Sequence, residues 1–192
     1  MKPIIRSILI SFTVLLFTLS PAPCRAVSPT YVHNFDEMYR STPRILEITN
    51  SNQTGTVEED DITYTYTCSG KKAIFNLDFF NAEGKQKIAI NLENEGNYVT
   101  TSIINNLQQV EINCTSQKAK SNVKVYISTD GLIWNEPDNI EYGSLITATF
   151  PAGDYRVIIL NDAGANRVSI YQIDYYCLDL SACPNCFIYR PE

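Results

Sequence analysis

Hydrophobic and polar positions alternate along most of the chain. In Ile62-Thr63-Tyr64-Thr65-Tyr66-Thr67-Cys68 the large residues fall on one face and the threonines on the other, the pattern of a half-buried strand. Ala73, Phe75, Leu77 and Phe79 share a face of the next predicted strand, Asn81 to Lys85 reads as its turn, and Ile88, Ala89, Ile90 and Leu92 lie in another. A short β-branched strand is predicted from Tyr98 to Ile104. Val110, Ile112 and Cys114 point one way and Gln109, Glu111 and Asn113 the other, while Val123, Val125 and Ile127 alternate with Lys124, Tyr126 and Ser128. Leu145 to Phe150 and Tyr155 to Leu160 read as two antiparallel strands joined by a tight turn at Pro151-Ala152-Gly153-Asp154. The last strand, Arg167 to Cys177, changes apolar phase near Tyr171, from Val168 and Ile170 to Ile173 and Tyr175; a bulge or burial on both faces would produce that change. No segment carries a convincing helical period. About ten short strands separated by Gly, Asn, Asp and Pro predict an all-β fold, a two-sheet antiparallel β-sandwich.

The pattern breaks at the N-terminus. Lys2 and Arg6 precede an apolar run from Ile8 to Leu19, followed by Ser20-Pro21-Ala22-Pro23-Cys24-Arg25-Ala26. A basic start, a short apolar run and small residues before a cut mark a secretory signal peptide, and the run is shorter than the ~20 residues that span a bilayer. Cleavage is expected after Ala26. An uncleaved anchor and a lipoprotein acylated at Cys24 are the alternatives; Pro23, next to that cysteine, disfavours the second. The expected organisation is a signal peptide over 1–26, one β-sandwich domain over 27–177 and a cysteine-containing tail over 178–192. No later segment is apolar enough to cross a membrane, so the expected compartment is the cell exterior or cell surface, with the periplasm as a further option.

Charge and cysteines narrow the picture. Removing residues 1–26 takes away three of the 15 basic residues and none of the 21 acids, which moves the net charge from −6 to −9. Such a chain is a poor partner for nucleic acid or an anionic membrane. Five cysteines remain, Cys68, Cys114, Cys177, Cys183 and Cys186, and export favours disulfides. Cys68 and Cys114 both fall on apolar faces, so a bridge between them is allowed; two buried thiols are the alternative. Cys183-Pro184-Asn185-Cys186 has a redox or zinc spacing, but no βαβ pattern accompanies it. A disulfide from Cys177 to Cys183 or Cys186, holding the tail, is the expected use, and one thiol is left over. Asn52-Gln53-Thr54 and Asn113-Cys114-Thr115 would be glycosylation acceptors in a eukaryotic secretory pathway.

The most specific short feature is Ser128-Thr129-Asp130-Gly131-Leu132-Ile133-Trp134, where Asp-Gly after an alternating strand signals a hairpin. The stretch from Val123 to Trp134 resembles the "strand, Ser-x-Asp-Gly-x-x-Trp" hairpin of galactose-binding-like jelly rolls, the fold of discoidin domains and related carbohydrate-binding modules. Ala152 to Leu160 is similar to the strand that follows in those domains, and Val168 to Tyr175 resembles their closing strand. The resemblance covers roughly residues 105–177, and the chain also looks like small secreted sandwich modules of polysaccharide-degrading gut bacteria. It implies a jelly-roll-like sandwich and a carbohydrate ligand; no cofactor is expected, the alternative being the structural calcium ion found in some similar modules, for which Asp162 and Asp174 are the candidate ligands. Trp134, Tyr98 and Tyr142 are the candidate ligand-binding residues. In hairpins of this type the tryptophan turns inward, so Trp134 is expected in the core; an exposed sugar platform is the competing role.

Catalytic arrangements are scarce. His33 is the only histidine, sits near the expected mature N-terminus without a nucleophile motif, and is expected at the surface. Glu58-Glu59-Asp60-Asp61 could offer oxygens to calcium, but consecutive carboxylates on an extended chain diverge, and a solvated face is expected. There is no Walker loop and no dinucleotide fingerprint. A carboxylate pair for glycoside hydrolysis remains open, though alternation alone pairs no two acids. The expected function is therefore a secreted, non-catalytic, carbohydrate-binding module. An extracellular structural or adhesive protein with a protein partner, and a small glycan-active enzyme, are the alternatives.

Overall fold

The structure is a computed structural model, and it describes residues 28–41, 54–67, 75–78, 87–116, 123–143, 145–162 and 167–179. Within them the chain forms β1 (Tyr31–Asn34), α1 (Phe35–Ser41), β2 (Thr54–Glu59), β3 (Ile62–Thr67), β4 (Phe75–Asp78), β5 (Lys87–Leu92), β6 (Tyr98–Thr101) and β7 (Ile104–Ser116). There follow β8 (Val123–Ser128), β9 (Asn139–Tyr142), β10 (Ile146–Asn161) and β11 (Val168–Cys177). The fold is all-β, and every pairing is antiparallel. The strands run β2-β3-β6-β10-β7-β11-β5-β4, with β1 on β11 and both β8 and β9 on β10.

β10 explains why one sheet forms where two were expected. Its first half, Ile146 to Thr149, pairs with β7 and β9; its second half, Arg156 to Asn161, pairs with β8, and Ile158 to Leu160 pair with β6. The tight turn expected at residues 151–154 is absent. The chain runs straight on through Pro151 and Gly153 as a 16-residue strand, with register shifts on either side of Gly153. A bulge of this kind bends the strand and sharpens its twist. The burial phase records it, since Ile146, Ala148 and Phe150 point inward before the corner and Tyr155, Val157 and Ile159 after it. The sheet thereby curls into a nearly closed, barrel-like system, compatible with a sandwich whose two layers share one strand.

The curled sheet closes over one core. β3 contributes Ile62, Tyr64 and Tyr66, with its threonines outward as the alternation required. Val110, Ile112 and Cys114 on β7 and Val123, Val125 and Ile127 on β8 all point in, and Asn113 is exposed. The phase change in β11 is a bulge, with the register on β7 shifting between Ile170 and Gln172. The segment expected as one strand from Tyr98 to Ile104 is broken: β6 stops at Thr101, and Ile104 opens β7. β1, β2 and β9 carry no clear alternation and were not expected. Nor was α1, which is capped by Asn34: its side-chain oxygen accepts the N–H groups of Asp36 (3.1 Å) and Glu37 (3.4 Å). Phe35 and Met38 bury one side of the turn against the core. Among the described residues no helix is long and apolar enough to cross a membrane.

No disulfide is formed among the described residues. Cys114 is buried on β7, and Cys177 is a free thiol at the end of β11, pushed up to about 11 by burial. Cys68, Cys183 and Cys186 lie outside the described residues, as do the expected signal peptide, the tail beyond Asp179 and the predicted turn at residues 81–85.

Candidate functional site

The loop after β8 determines where Trp134 goes. Ser128 Oγ donates to the Asp130 carboxylate (2.9 Å) and accepts the Gly131 N–H (2.9 Å). The same carboxylate oxygen accepts the N–H groups of Leu132 (2.7 Å) and Ile133 (3.0 Å), and these bonds hold the Asp130 carboxyl below its usual range. Gly131 takes φ +76°, which suits glycine. The side chains of Ser128 and Asp130 thus build a wide capped loop, not a two-residue turn. The return arm makes a single bridge, Asn135 with Ile127, through two 2.9 Å hydrogen bonds. Trp134, one residue before the bridge, therefore turns to the outer face of the sheet. It is half-buried and absent from the core, so the expected inward role is corrected.

On that outer face Trp134 lines an open groove of ≈ 410 Å³. The floor comes from the outward positions of β3, β6 and the second half of β10. Thr65 stands opposite Thr100, which stands opposite Ile158; Thr67 stands opposite Tyr98. Thr63 and Arg156 complete the wall at the Trp134 end. Two hydroxyls beside it hold backbone: Thr101 Oγ1 accepts the Val157 N–H (2.9 Å) and Ser102 Oγ the Thr63 N–H (3.0 Å). The result is a hydroxyl-rich surface on a hydrogen-bonded sheet, with an indole at one end and a phenol along its length. Leu132 and Ile133 project from the adjoining loop, 83% and 68% exposed.

Trp134 and Tyr98 are brought to the same groove. Tyr142 is not: it lies on β9, donates to the Val123 carbonyl at the far end of β8 (3.3 Å), and lines a separate hollow with Glu141 and Thr147. Asp162 and Asp174 stand on different strand neighbourhoods. Asp162 is exposed just after β10, whereas Asp174 on β11 accepts from Gln172 Nε2 (2.8 Å). Among the described residues no three His, Cys, Asp or Glu side chains are grouped to hold a metal ion.

Two other arrangements arise from side chains that the sequence did not pair. Asp174 on β11 lies directly opposite Glu111 on β7. Glu111 accepts from Gln109 Nε2 (2.8 Å) and Tyr176 OH (2.8 Å); both acids are partly exposed, each steadied by an amide. His33 is the second surprise. Expected at the surface, it is 0% exposed on β1, opposite Ile173. Its Nδ1 bonds the Tyr64 hydroxyl, which meets the Tyr175 hydroxyl at 3.0 Å, and its Nε2 lies 3.5 Å from the Asp60 carboxylate. Burial lowers the His33 pKa, with the Asp60 charge working against it. Burial likewise raises both tyrosines, Tyr64 well above its ordinary value. Asp60 and Asp61 form the β2–β3 hairpin turn at φ 49° and 64°, as a two-residue turn of the primed type demands. The acidic run is thus the end of β2 and the turn that follows it, with Asp60 beside the histidine.

Arg156, Thr65 and Thr100 were not singled out by sequence. Their signal was present as the outward phase of three strands, but only the ladder shows that these strands are neighbours. Compared with known families and curated proteins, the chain matches no family model and no curated protein.

Proposed function

We propose that the protein is an exported, non-catalytic module that binds glycan in the groove over β3, β6 and β10. The observation that carries this reading is the position of Trp134, half-buried beside a hydroxyl-lined groove. Pyranoses present apolar C–H faces and a rim of hydroxyls. An indole matches the first, and threonine and tyrosine hydroxyls match the second by donating and accepting. The signal-like N-terminus and the resemblance to galactose-binding-like modules agree with this reading, and a jelly-roll-like sandwich remains the architecture proposed for the two layers. In an oxidising compartment the Cys177 thiol, unbridged in this structure, would be open to pairing with Cys183 or Cys186, and Cys114 to pairing with Cys68.

A glycan array with the purified chain, read beside a reducing-sugar assay on mixed polysaccharides, tests the reading. Binding without sugar release is expected. Silence on every glycan would favour a protein partner instead. One observation favours a second reading: Glu111 and Asp174 are direct cross-strand neighbours, and retaining glycosidases hold two carboxyls about 5–5.5 Å apart. Release of reducing sugar that is lost in Glu111→Gln would establish the enzyme reading and remove the first.

A further inference from the structure

The geometry points to an acidic glycan, one carrying a carboxylate that docks on Arg156; this inference rests on the glycan reading of the groove. Arg156 is the one charged residue among the described residues lining it. Its Nε is buried and has no hydrogen-bond partner, and no ion pair of its guanidinium is found among the described residues. A buried donor without a partner is costly, and an unneutralised guanidinium is unusual in a chain with a net charge of −6. Neutral sugar hydroxyls would be served by the threonines and tyrosine alone. A guanidinium adds a planar fork of donors that matches a carboxylate in two parallel hydrogen bonds.

The stem of Arg156 is also held in place. The residue lies on β10 opposite Ser128, and Gly131 crosses directly over its side chain. A Cβ on Gly131 would fall 3.3 Å from Arg156 Cδ and 3.4 Å from Nε. The glycine thus leaves room for the guanidinium stem beneath the loop that presents Trp134. A pinned stem loses little rotamer freedom on binding. The ring and the fork line the same groove, so one acidic pyranose would lay its C–H face on Trp134 and its carboxylate on Arg156.

Calorimetric titration of the intact exported chain tests this with four probes: oligogalacturonate, oligomannuronate, the carboxyl-reduced neutral form of each chain, and a sulfated galactan lacking carboxylates. At least one uronate is expected to bind tenfold or more tighter than its neutral counterpart, with affinity falling as salt rises. Arg156→Gln is expected to abolish that preference while leaving the thermal melt in place, and Arg156→Lys to retain part of it. Equal binding of neutral and acidic chains, or a preference that survives Arg156→Gln, overturns the carboxylate assignment and leaves the glycan reading standing. Equally tight, Arg156-dependent binding of the sulfated galactan overturns the selectivity for carboxylate. No binding to these probes or to any glycan of a neutral array overturns both.

Discussion

A tryptophan on a groove wall answers truncation differently from one in a core. Removing a fully buried indole costs ~3–5 kcal/mol. Trp134 is only partly buried, so Trp134→Ala is expected to cost less than about 2 kcal/mol, with near-normal melting and no glycan binding. Emission from this lone tryptophan is expected to be red-shifted and quencher-accessible; a blue-shifted, protected spectrum would return it to the core. His33 gives a pH test. Its folded pKa lies below the ordinary 6.5, so in the window just under 6.5 the unfolded chain binds a proton that the folded chain refuses. The contribution of neutral His33 is therefore complete above 6.5 and is lost as pH falls from there toward the lowered folded value. Urea melts between about pH 7.5 and about pH 5.5, above the ordinary carboxylate range near ~4, are expected to show falling stability with acid. His33→Gln is expected to flatten that slope; an unchanged slope would assign it to other groups.

At the scale of elements, alternation carried most of the reading. β3, β7 and β8 have the faces that their sequences announce, because each buries one side of a pleat. The phase change in β11 showed its bulge in advance for the same reason. β10 was misread because Pro151 and Gly153 mark a bend as readily as a reversal, and both shift the apolar phase. Elements held by caps and cross-strand partners, such as α1, β1 and β9, left little hydrophobic trace. The groove was half legible: Trp134 and Tyr98 stood out as aromatics, while Arg156 needed the β8–β10 register to be seen. β7 carries its own irregularity at Asn106, where φ is 55° and the N–H donates to Asp154 Oδ1 at 3.0 Å. Asn106→Gly is expected to be nearly neutral, whereas Asn106→Val, forced left-handed, is expected to cost ~1–2 kcal/mol. Chemical denaturation of both variants checks it, and equal losses would contradict a conformational cause.

At the scale of the molecule, the two outer faces differ in chemistry. Across β1, β11, β7, β10 and β9 one row reads Val32, Asp174, Glu111, Thr147, Glu141. Across β2, β3, β6 and β10 a second row reads Thr56, Thr65, Thr100, Ile158, with Arg156 at its Trp134 end. On the proposed reading, an acidic glycan would be disfavoured by the first surface and would dock on the second through Arg156. Amide chemical-shift mapping of the isotope-labelled chain, titrated with its best glycan from the array, distinguishes the faces directly. The largest shifts are expected at Thr65, Thr100 and Ile158 and at the Nε–H of Arg156; shifts centred on Glu111 and Asp174 with Arg156 unmoved would contradict the account.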